Sequence, residues 1–423
     1  MGIRIRRRLF WMKIAFVSKT NGCVGGASFF AENLGGWLLA AGHGVTQFCV
    51  APREQLQPYQ RQFTVAGLAN RVVRHANWRL RQWGMVEPFP WEYWFGLHDQ
   101  LDQFDLIHFH DLYMAISPRT LERVARKKPV FFTAHDCSAF TGGCLYPMDC
   151  RRYREKCGAC PQRAEIGAFD CTRSNLKRNR RLARSSAVHY VFPSKWIRDE
   201  AAHSLSYGGT ATHIPNGFDN RAYAFQERGQ ARTILGLACD RKIVVVCSAA
   251  LEDQRKGVAL ALKALAVNRD LKPFILVVGK ATQALEQKLS GMDYLLAGFV
   301  TDRAKLGLFY AAADLLLFPS LGDNLPITIQ ESLAAATPVL AFAVGGVPEL
   351  VQPGQTGWLV PVGNQEALNQ KLREVLLSDD SATFGERGRA LMHAEFSVDQ
   401  CVHRHLGLYR TVLEAASFSQ GKE

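Results

Sequence analysis

Residues 314–331, with the sequence DLLLFPSLGDNLPITIQE, decide the fold of this chain. They start with a short and mostly apolar run, continue with a loop that contains Pro, Gly and Asp, and end in a helical pattern. A continuous apolar run bounded by turn residues predicts a strand that is buried on both faces, as in a parallel sheet covered by helices. The stretch therefore predicts one strand–loop–helix unit of a doubly wound α/β domain, with Asp323 in the loop and Glu331 on the helix.

The same alternation continues along the chain in both directions. Short β-branched runs predict strands at 13–18, 45–50, 106–110, 129–134 and 188–193, and again at 243–246, 274–279, 295–299, 314–318 and 339–342. The alternation restarts after residues 214–219, IPNGFD. The sequence therefore predicts two doubly wound α/β domains, joined near residues 216–230, whose ligands bind beyond the carboxyl ends of the strands.

Size and composition exclude several classes of protein. With 423 residues, 48% apolar and 21% charged, the chain is neither disordered nor a small disulfide-stapled fold, and its length predicts two or three domains. The longest uncharged apolar stretch, 332–348, is interrupted by Pro338 and two glycines, so no transmembrane helix is predicted. The basic residues 1–11 lack the features of a signal peptide, and we interpret them as an extension, with Met12 as an alternative start.

Positive charge is concentrated in the first half of the chain. Residues 1–216 carry 30 Lys and Arg against 16 Asp and Glu, whereas residues 217–423 carry 21 against 22. This asymmetry is typical of a half that meets an anionic partner. One basic stretch, Arg71, Arg74, Arg79 and Arg81, alternates with Trp78 and Trp83, which favours an anionic membrane surface over a merely solvated helix face. A second stretch, 173–184, lacks aromatic residues and fits either interpretation.

Several loops after predicted strands carry candidate site residues. Gly25, Gly26 and Ala27 follow the first strand, where adjacent glycines let a ligand approach a helix N-terminus near Ser28. The loop is not the G-x-G-x-x-G fingerprint, which disfavours a nicotinamide dehydrogenase. The third strand ends at His110 and the fourth at His135 and Asp136, so these tips are candidates for one site, although a single histidine is more often structural.

In the second half, Arg255, Lys256 and Gly257 open a helix after a strand that we expect to end at Ser248. A lysine, an arginine and free backbone donors suit a pyrophosphate, although exposed charge at a helix start is the plainer explanation. Asp323 and Glu331 can accept hydrogen bonds from vicinal hydroxyl groups of sugars. A second glycine pair, Gly345-Gly346, follows the last predicted strand.

Taken together, these residues resemble glycosyltransferase family four, whose members are retaining nucleotide-sugar transferases of the GT-B fold. The resemblance extends over nearly the whole chain from Met12. Its most specific part runs from Pro319 through Glu331 and on to Gly345-Gly346-Val347-Pro348-Glu349, and is similar to the family's E-x7-E segment. The resemblance implies two Rossmann-like domains facing a central cleft: an acceptor domain over 12–216 and a donor domain over 217–395. It also implies that a C-terminal helix and tail over 396–423 pack back across the domains.

The resemblance also implies roles for single residues. His110, Asp323 and Glu331 would carry catalysis, with Glu331 on the ribose, Asp323 on the transferred sugar together with Asn324 and Leu325, and His110 near the anomeric carbon. Arg255, Lys256 and Gly257 would bind the donor phosphates, and Gly25, Gly26 and Ala27 would shape the site for acceptor or phosphate. No metal would be needed for catalysis. The chain departs from the family pattern at Asp323, which replaces glutamate, at Ala250, which replaces a basic residue that Arg255 would compensate, and at Ala336, where glycine is common.

A cysteine-rich insertion over 137–161 narrows the resemblance to transferases of the colanic-acid type. Cys144, Cys150, Cys157 and Cys160 have the spacing C-x5-C-x6-C-x2-C, which fits a tetrahedral structural zinc site. Because eleven cysteines without a secretion signal predict reduced thiols in the cytoplasm, zinc is favoured over disulfides or free thiols.

The leading hypothesis is a cytoplasmic enzyme that associates peripherally with the inner membrane. It would move a sugar from a UDP- or GDP-linked donor to a polyprenyl-diphosphate-linked oligosaccharide in exopolysaccharide or surface-polysaccharide synthesis. Two alternatives stay open: a GT-B epimerase or phosphorylase, and a basic polyanion-binding module. No nucleic-acid recognition motif is present, so we expect no nucleic-acid partner.

Overall fold

The computed structural model describes residues 11–22, 26–63, 68–82, 84–91, 93–94, 98–110, 112, 115–163, 170–223, 225–237 and 240–420. The chain divides into two compact units. The first comprises the chain up to Pro193, Ile197–Ile214 and the chain from Cys401 onward. The second comprises Ser194–Trp196 and Pro215–Gln400. Each unit is built around one parallel sheet.

The sheet of the first unit has seven strands in the order β3-β2-β1-β4-β5-β6-β7, and every pairing is parallel. The strands are β1 Lys13–Ser18, β2 Gly44–Cys49, β3 Gln60–Gln62, β4 Leu106–Phe109, β5 Val130–Thr133, β6 Val188–Phe192 and β7 Ala211–His213. The helices in this part of the sequence are α1 Gly26–Ala40, α2 Leu68–Gln82, α3 His98–Leu101, α4 Pro118–Val124, α5 Thr172–Ala183 and α6 Lys195–Ala202. Short 3₁₀ turns lie at Cys137–Ala139, Arg152–Arg154 and Pro161–Arg163.

The sheet of the second unit has six parallel strands in the order β10-β9-β8-β11-β12-β13. The strands are β8 Ile243–Ala250, β9 Phe274–Lys280, β10 Tyr294–Gly298, β11 Leu315–Phe318, β12 Val339–Phe342 and β13 Gly357–Val360. The helices are α7 Arg228–Leu235, α8 Val258–Val267, α9 Gln283–Lys288, α10 Arg303–Ala312, α11 Ile327–Ala334, α12 Val347–Leu350, α13 Gln365–Leu377, α14 Ser381–Glu395 and α15 Val398–Gln420. Asn220–Tyr223, Gln254–Lys256 and Arg269–Leu271 form 3₁₀ turns.

The strands of the second unit have continuously apolar sequences, and their side chains pack into two separate cores. On β8 and β11, Val245 and Leu316 pack into the core on one face of the sheet, while their neighbours Val244 and Leu315 pack into the core on the other. Each fully buried aliphatic side chain stabilises the fold by about 1.5–3 kcal/mol. Burial on both faces explains why these strands lack the alternation of a sheet with one wet face.

The core of the first unit includes residues from both ends of the described chain. Met12, just before β1, and Ile14 and Phe16 on β1 pack with Phe30, Leu34 and Leu38, which lie four residues apart on α1. Cys401, Tyr409 and Val412 of α15 complete the same cluster. The hydroxyl of Tyr409 lies 2.6 Å from Nδ1 of His108 on β4.

The ten predicted strands and the α/β fold class are confirmed, with small differences at the ends. Helix α1 begins at Gly26 rather than near Ser28, and β8 continues to Ala250 rather than ending at Ser248. The prediction missed three sheet-edge strands: β3, β7 and β13. None of the helices in the described residues combines the length and the apolar character that a membrane crossing requires.

Candidate active site

In the second unit, two residues that we predict to bind the donor phosphates lie in direct contact with one residue that we predict to bind the sugar. The Nζ atom of Lys256 lies 2.8 Å from Oδ2 of Asp323, and Nη1 of Arg255 lies 3.6 Å from the same oxygen. The hydroxyl of Ser320 donates a hydrogen bond of 2.9 Å to this oxygen. Asp323 is buried, and these neighbouring protein groups compensate its charge.

The local backbone explains how the two basic residues reach Asp323. Asp253 accepts a hydrogen bond from the backbone N–H of Arg255 at 2.9 Å and so caps the 3₁₀ turn Gln254–Lys256. Gly257 follows with a φ of +66° and starts α8. A Cβ atom on Gly257 would lie 1.8 Å from the carbonyl oxygen of Pro319, so only glycine allows the N-terminus of α8 to approach the 319–326 loop this closely. A helix N-terminus so placed attracts an anion.

The second glycine pair supports the loop from the other side. Gly345 has a φ of +58°, and a Cβ atom there would lie 1.7 Å from the carbonyl oxygen of Asp323. At Gly346 the corresponding distance to the carbonyl oxygen of Asn324 is 2.1 Å. The side-chain oxygen of Asn324 also accepts a hydrogen bond from Ser194. The loop that carries Asp323 and Asn324 is therefore held on both sides.

Glu349, which ends the same glycine motif, caps a helix. Its carboxylate accepts hydrogen bonds from the backbone N–H groups of Lys195 and Trp196 at 3.0 and 2.9 Å. The side chain of Leu325, by contrast, packs in the apolar core of the unit. Of the residues predicted to meet the sugar, Leu325 can therefore offer only its main chain.

Glu331 has two partners that the sequence analysis missed. Its Oε1 accepts a hydrogen bond of 2.7 Å from the hydroxyl of Tyr223, and its Oε2 accepts one of 2.8 Å from the hydroxyl of Tyr310. Burial raises the pKa of Glu331, and the two tyrosine hydrogen bonds partly oppose this rise because they favour the ionised form. Tyr223 lies 108 residues from Glu331 in sequence, so no local pattern could have indicated the pair.

The thiol of Cys247 on β8 lies near Glu331 and Tyr310. Its pKa is raised to about 12, mainly by burial and further by the charge of Glu331. The thiol is therefore neutral at physiological pH and contributes polarity but no charge near Glu331 and Tyr310.

In the first unit, the strand tips that carry the predicted histidines lie together. Nδ1 of His110 lies 3.4 Å from Nε2 of His135, and the rings of His110 and His108 lie 4.1 Å apart. Nε2 of His110 is buried and has no hydrogen-bond partner among the described residues. Burial is the main reason that the pKa of His110 falls well below its usual range and that of His135 falls to about 3. Both imidazoles are therefore neutral at physiological pH.

His108, two residues before His110, has a structural role. Its Nδ1 is bonded to Tyr409 and its Nε2 lies 2.8 Å from the hydroxyl of Thr133. His405 on α15 has its ring centre 5.9 Å from that of His108, and burial lowers its pKa to about 4. His108, His110, His135 and His405 thus form a cluster of neutral histidines, and in both His110 and His405 the Nε2 atom lacks a hydrogen-bond partner among the described residues.

The other residues of the first unit that we predict to belong to the site lie at helix starts, at a turn or outside the described residues. Asp136 caps the 3₁₀ turn Cys137–Ala139 by accepting the backbone N–H of Ser138 at 2.8 Å, and burial raises its pKa. Gly26 and Ala27 form the first residues of α1. Gly25 lies outside the described residues, as does Trp83.

The four predicted zinc ligands, Cys144, Cys150, Cys157 and Cys160, line one small pocket. All four are free thiols. Burial, with a smaller contribution from the neighbouring thiols, raises the pKa of Cys144 to about 11. In the part of the chain that the structure describes, no three His, Cys, Asp or Glu side chains already stand in a metal-coordinating arrangement.

The two basic stretches differ in their surroundings. On α2, Trp78 is 50% exposed and Val72 is 62% exposed, and the guanidinium of Arg79 lies over the indole of Trp78. On α5, Arg180 donates hydrogen bonds to the carbonyl groups of Tyr153, Arg154 and Glu155, and Arg181 forms an ion pair with Glu122. The α5 arginines mainly hold neighbouring chain segments, whereas α2 presents an exposed surface.

Two family models match adjacent parts of the chain. One, described as Glycosyltransferase Family 4, matches residues 24–221, and the other, described as Glycosyl transferases group 1, matches residues 241–378. The chain therefore carries a glycosyltransferase family four domain, followed by a domain of the glycosyl transferases group 1. The N-terminal match contains His110 and His135, and the C-terminal match contains Lys256, Asp323 and Glu331.

Comparison with curated proteins agrees with this family. The chain is 25% identical to N-acetyl-alpha-D-glucosaminyl L-malate synthase of Bacillus anthracis, over 47% of this chain and 53% of that protein. It is 24% identical to the putative colanic acid biosynthesis glycosyl transferase WcaC of Escherichia coli K12, over 73% of this chain and 76% of that protein. In the first three relatives, including the one from B. anthracis, the matched region spans about half of the relative's length.

Solved structures confirm the GT-B fold. Sucrose-phosphate synthase from Thermosynechococcus elongatus superimposes with a TM-score of 0.73 at 20% identity, covering 96% of this chain and 100% of that one. Anabaena Alr3699/HepE, solved in complex with UDP-glucose, superimposes with a TM-score of 0.67 at 18% identity, covering 95% of this chain and 100% of that one.

Proposed function

We propose that this family four glycosyltransferase moves a sugar from a nucleotide-diphosphate donor to a lipid-linked oligosaccharide, with retention of the anomeric configuration. The observation that carries the proposal is the cluster of Lys256, Arg255 and Asp323 at the N-terminus of α8. This cluster combines two positively charged side chains, a helix N-terminus and a carboxylate in two neighbouring loops. This combination suits the two chemically different parts of a nucleotide sugar, the diphosphate and the hexose.

The cations and the start of α8 would bind the diphosphate. Lys256 supplies a point charge, Arg255 supplies a guanidinium, and the first backbone N–H groups of α8 point along the helix axis, where they can bind an anion. During transfer, negative charge accumulates on the leaving nucleoside diphosphate. Fixed positive groups at this position would stabilise that charge without reorganisation, so catalysis needs no metal ion.

Glu331 would bind the ribose of the nucleotide. Each of its carboxylate oxygens accepts one tyrosine hydrogen bond, and each oxygen has a second lone pair that can accept a sugar hydroxyl. The two tyrosines fix the plane of the carboxylate. Glu331 is therefore preorganised for a pair of vicinal hydroxyl groups.

In the first unit, His110 would contact the transferred sugar near its anomeric carbon. Its imidazole is neutral, since burial lowers its pKa, and its Nε2 lacks a partner in the described structure. A neutral imidazole can accept a hydrogen bond from a sugar hydroxyl or donate one. Gly26 and Ala27, together with Gly25 and the His135–Asp136 tip, would shape the acceptor side.

The relatives and the surface of the first unit support particular identities for the donor and the acceptor. Alr3699/HepE binds UDP and UDP-glucose, which supports a UDP-linked donor, with GDP as the other candidate. The likeness to WcaC supports an acceptor in exopolysaccharide synthesis. The proposed acceptor would carry a polyprenyl diphosphate in a membrane. The exposed Trp78 and Val72 beside Arg79 support peripheral binding to the anionic inner membrane from the cytoplasm.

Calorimetry with a panel of UDP-, GDP- and ADP-sugars tests the donor assignment. Wild type should bind one nucleotide class saturably, and Glu331→Ala should lose this binding. Glu374→Gln is the matched control, because Glu374 is an exposed carboxylate on α13. Equal binding by wild type and Glu331→Ala would contradict the assignment.

The bound sugar then serves in a reaction assay with membrane extracts or synthetic polyprenyl-diphosphate glycans. Transfer to the glycan supports the proposal. Interconversion of nucleotide sugars would instead identify an epimerase, and formation of a sugar phosphate would identify a phosphorylase. Salt-sensitive binding to any polyanion without donor binding would identify a polyanion-binding module.

A further inference from the structure

The loop between β5 and α5 is long, and its described part, residues 134–163 and 170–171, has little regular structure of its own. Its described residues contain only three short 3₁₀ turns, at Cys137–Ala139, Arg152–Arg154 and Pro161–Arg163. Loops of this length without regular elements are uncommon in compact domains and usually have a functional or structural reason to be ordered.

Buried polar side chains hold the base of this loop. The amide of Asn175 donates to the carbonyl of Gly142 at 2.8 Å, and the amide of Asn179 donates to the carbonyl of Thr141 at 3.0 Å. The hydroxyl of Ser204 donates to the carbonyl of Tyr153 at 2.9 Å. These bonds fix both ends of the segment that carries the cysteines, but none of them involves a thiol.

The four thiols converge on a single pocket within this frame. Cys144, Cys150, Cys157 and Cys160 all line it, together with Tyr153 and Gly142. Cys171, in the same segment of sequence, does not line the pocket. Thiols are weak hydrogen-bonding groups, so the grouping of four gives little stability unless something binds them.

The turn between the last two cysteines has an unusual backbone. Gly158 has a φ of 130° and Ala159 a φ of 47°. A non-glycine residue in the left-handed region costs roughly 1–2 kcal/mol. Both carbonyl groups of this turn accept hydrogen bonds of 2.8 Å from Arg152. The turn therefore fixes the backbone between Cys157 and Cys160, whose C-x2-C spacing is typical of structural zinc ligands.

The charges around the pocket match a negatively charged metal centre. Zn²⁺ with four thiolates carries a net charge of about −2. Arg152 lines the pocket, Arg173 donates to the carbonyl of Cys157 at 3.4 Å, and Arg180 donates to three carbonyl groups of the 153–155 segment. No Asp or Glu lines the pocket in the described residues, and the nearby carboxylate of Asp170 accepts a hydrogen bond of 2.9 Å from the backbone N–H of Cys160. The surroundings therefore favour thiolates bound to a cation over an isolated cation.

We propose that this pocket binds one Zn²⁺ through Cys144, Cys150, Cys157 and Cys160, and that the ion orders the loop between β5 and α5. The side chains do not yet stand in a coordinating arrangement, so binding draws the thiols inward from the pocket wall. Each thiol releases its proton to solvent as its sulfur binds the ion. The site is structural, because four protein ligands leave no open position for a substrate.

Elemental analysis of the full chain, purified with a non-thiol reductant and without chelator, tests the site directly. We expect one zinc per chain. Cys157→Ser and Cys160→Ser should lose most of the zinc, whereas Cys171→Ser, the matched control from the same segment, should keep it. Replacement of zinc by Co²⁺ should give thiolate-to-cobalt charge-transfer absorption, with an intensity that reports the number of thiolates.

Removal of the ion should loosen the loop. With a strong chelator, limited proteolysis with trypsin should cut after Arg151, Arg152, Arg154 or Lys156 faster than in the zinc-bound protein. A metal-free wild-type chain whose loop resists trypsin would overturn the proposal. Disulfides among these cysteines, found by mass spectrometry after alkylation without reduction, would also overturn it, as would equal zinc loss in Cys171→Ser. If the serine variants fail to fold, zinc content and cobalt spectra of the wild type still decide.

Discussion

Lys256 forms an ion pair of 2.8 Å with Asp323, a carboxylate from the loop that we assign to the transferred sugar. The two residues are 67 positions apart in sequence and are brought together by the contact of Gly257 with Pro319. A donor diphosphate must therefore compete with Asp323 for Lys256. The carboxylate of Asp323 therefore weakens the binding of a nucleoside diphosphate that carries no sugar. It favours binding only when the donor carries a sugar whose hydroxyl groups can donate to it.

Replacing Asp323 with Asn should separate these two effects. Loss of the carboxylate frees Lys256, so the affinity for free nucleoside diphosphate should rise by about 3- to 10-fold, or about 1 kcal/mol. The rate of sugar transfer should fall, because the hydroxyl groups of the transferred sugar lose the charged oxygen that accepts their hydrogen bonds. Calorimetry with the diphosphate and a transfer assay measure the two quantities. Asp379→Asn, a fully exposed control, should change neither, and weaker diphosphate binding by Asp323→Asn would contradict the competition.

Tyr223 and Tyr310 should act as positioning residues for Glu331. Each hydroxyl stabilises the ionised carboxylate, so Tyr310→Phe or Tyr223→Phe should raise the pKa of Glu331 further. Ribose hydroxyls donate to the ionised form, so donor affinity should rise with pH through this pKa. In the Phe variants that rise should occur at higher pH. A series of donor dissociation constants against pH measures the shift.

The control for these variants is Tyr190→Phe. The hydroxyl of Tyr190 is buried in the first unit without a hydrogen-bond partner among the described residues. It should leave the pH profile of donor binding unchanged. Identical profiles for Tyr310→Phe and wild type would mean that the tyrosines only fill space.

Gly257→Ala should damage the second unit. The new Cβ would lie 1.8 Å from the carbonyl oxygen of Pro319, so either α8 or the 319–326 loop must move. We expect a loss of about 3 kcal/mol or more in the free energy of unfolding, together with loss of donor binding. Gly229→Ala on α7 meets no atom within 4 Å and should be neutral or stabilising by about 0.5–1 kcal/mol. Thermal unfolding of the two variants gives the comparison, and similar melting temperatures would refute the steric argument.

The histidine cluster should make the first unit sensitive to acid. The folded-state pKa is lowered to about 3 for His135 and about 4 for His405, whereas the unfolded chain titrates near 6.5. The unfolded state therefore binds more protons at low pH. The stabilisation is complete above pH 6.5 and is lost as the pH falls toward the folded-state values. Between pH 7 and pH 5 each such histidine should cost about 2 kcal/mol.

Unfolding midpoints measured from pH 5 to pH 8 test this dependence. His405→Gln should flatten the curve, because one group that titrates only on unfolding has been removed. His403→Gln, at an exposed position on the same helix, should leave the slope as in wild type. A wild-type midpoint that does not change over this range would show that the cluster is accessible to protons in the folded state.

The exposed face of α2 should control binding to membranes. Vesicles of phosphatidylglycerol and phosphatidylcholine should bind wild type, and Val72→Ser combined with Trp78→Ser should weaken binding by about tenfold or more, because both apolar side chains are exposed. Leu377→Ser removes an equally exposed apolar side chain from the second unit and should have no effect. Sedimentation with vesicles measures the binding. Equal sedimentation of all three proteins would exclude α2 as the contact surface.

Sequence reasoning predicts the inner strands well, for a physical reason. Residues such as Val244 and Val245 are apolar because both faces of the sheet are covered, and this leaves a continuous signal in the sequence. The edge strand β3, with the sequence QRQ, has two exposed residues out of three and leaves no such signal. β7 is equally short, and its residues are only partly buried or exposed.

At the candidate site, the sequence predicts residue types and loops but not their partners. Lys256 and Asp323 are both foreseeable as residues that follow strands, whereas their ion pair depends on the contact between Gly257 and Pro319. Tyr223 and Tyr310 are unforeseeable, because an isolated tyrosine has no distinctive spacing and both meet Glu331 only through the tertiary fold.

Because α15 contributes to the core of the first unit, this core can be completed only after α15 has been synthesised. Tyr409 joins His108 across 301 residues of intervening sequence, and Val412 lies in the same core. A ribosome must therefore synthesise the entire second unit before the first sheet is covered, which at cellular elongation rates takes on the order of ten seconds or more. During that interval Ile14 and Phe16 lack part of their cover. The second unit, although it is made later, can therefore finish folding first.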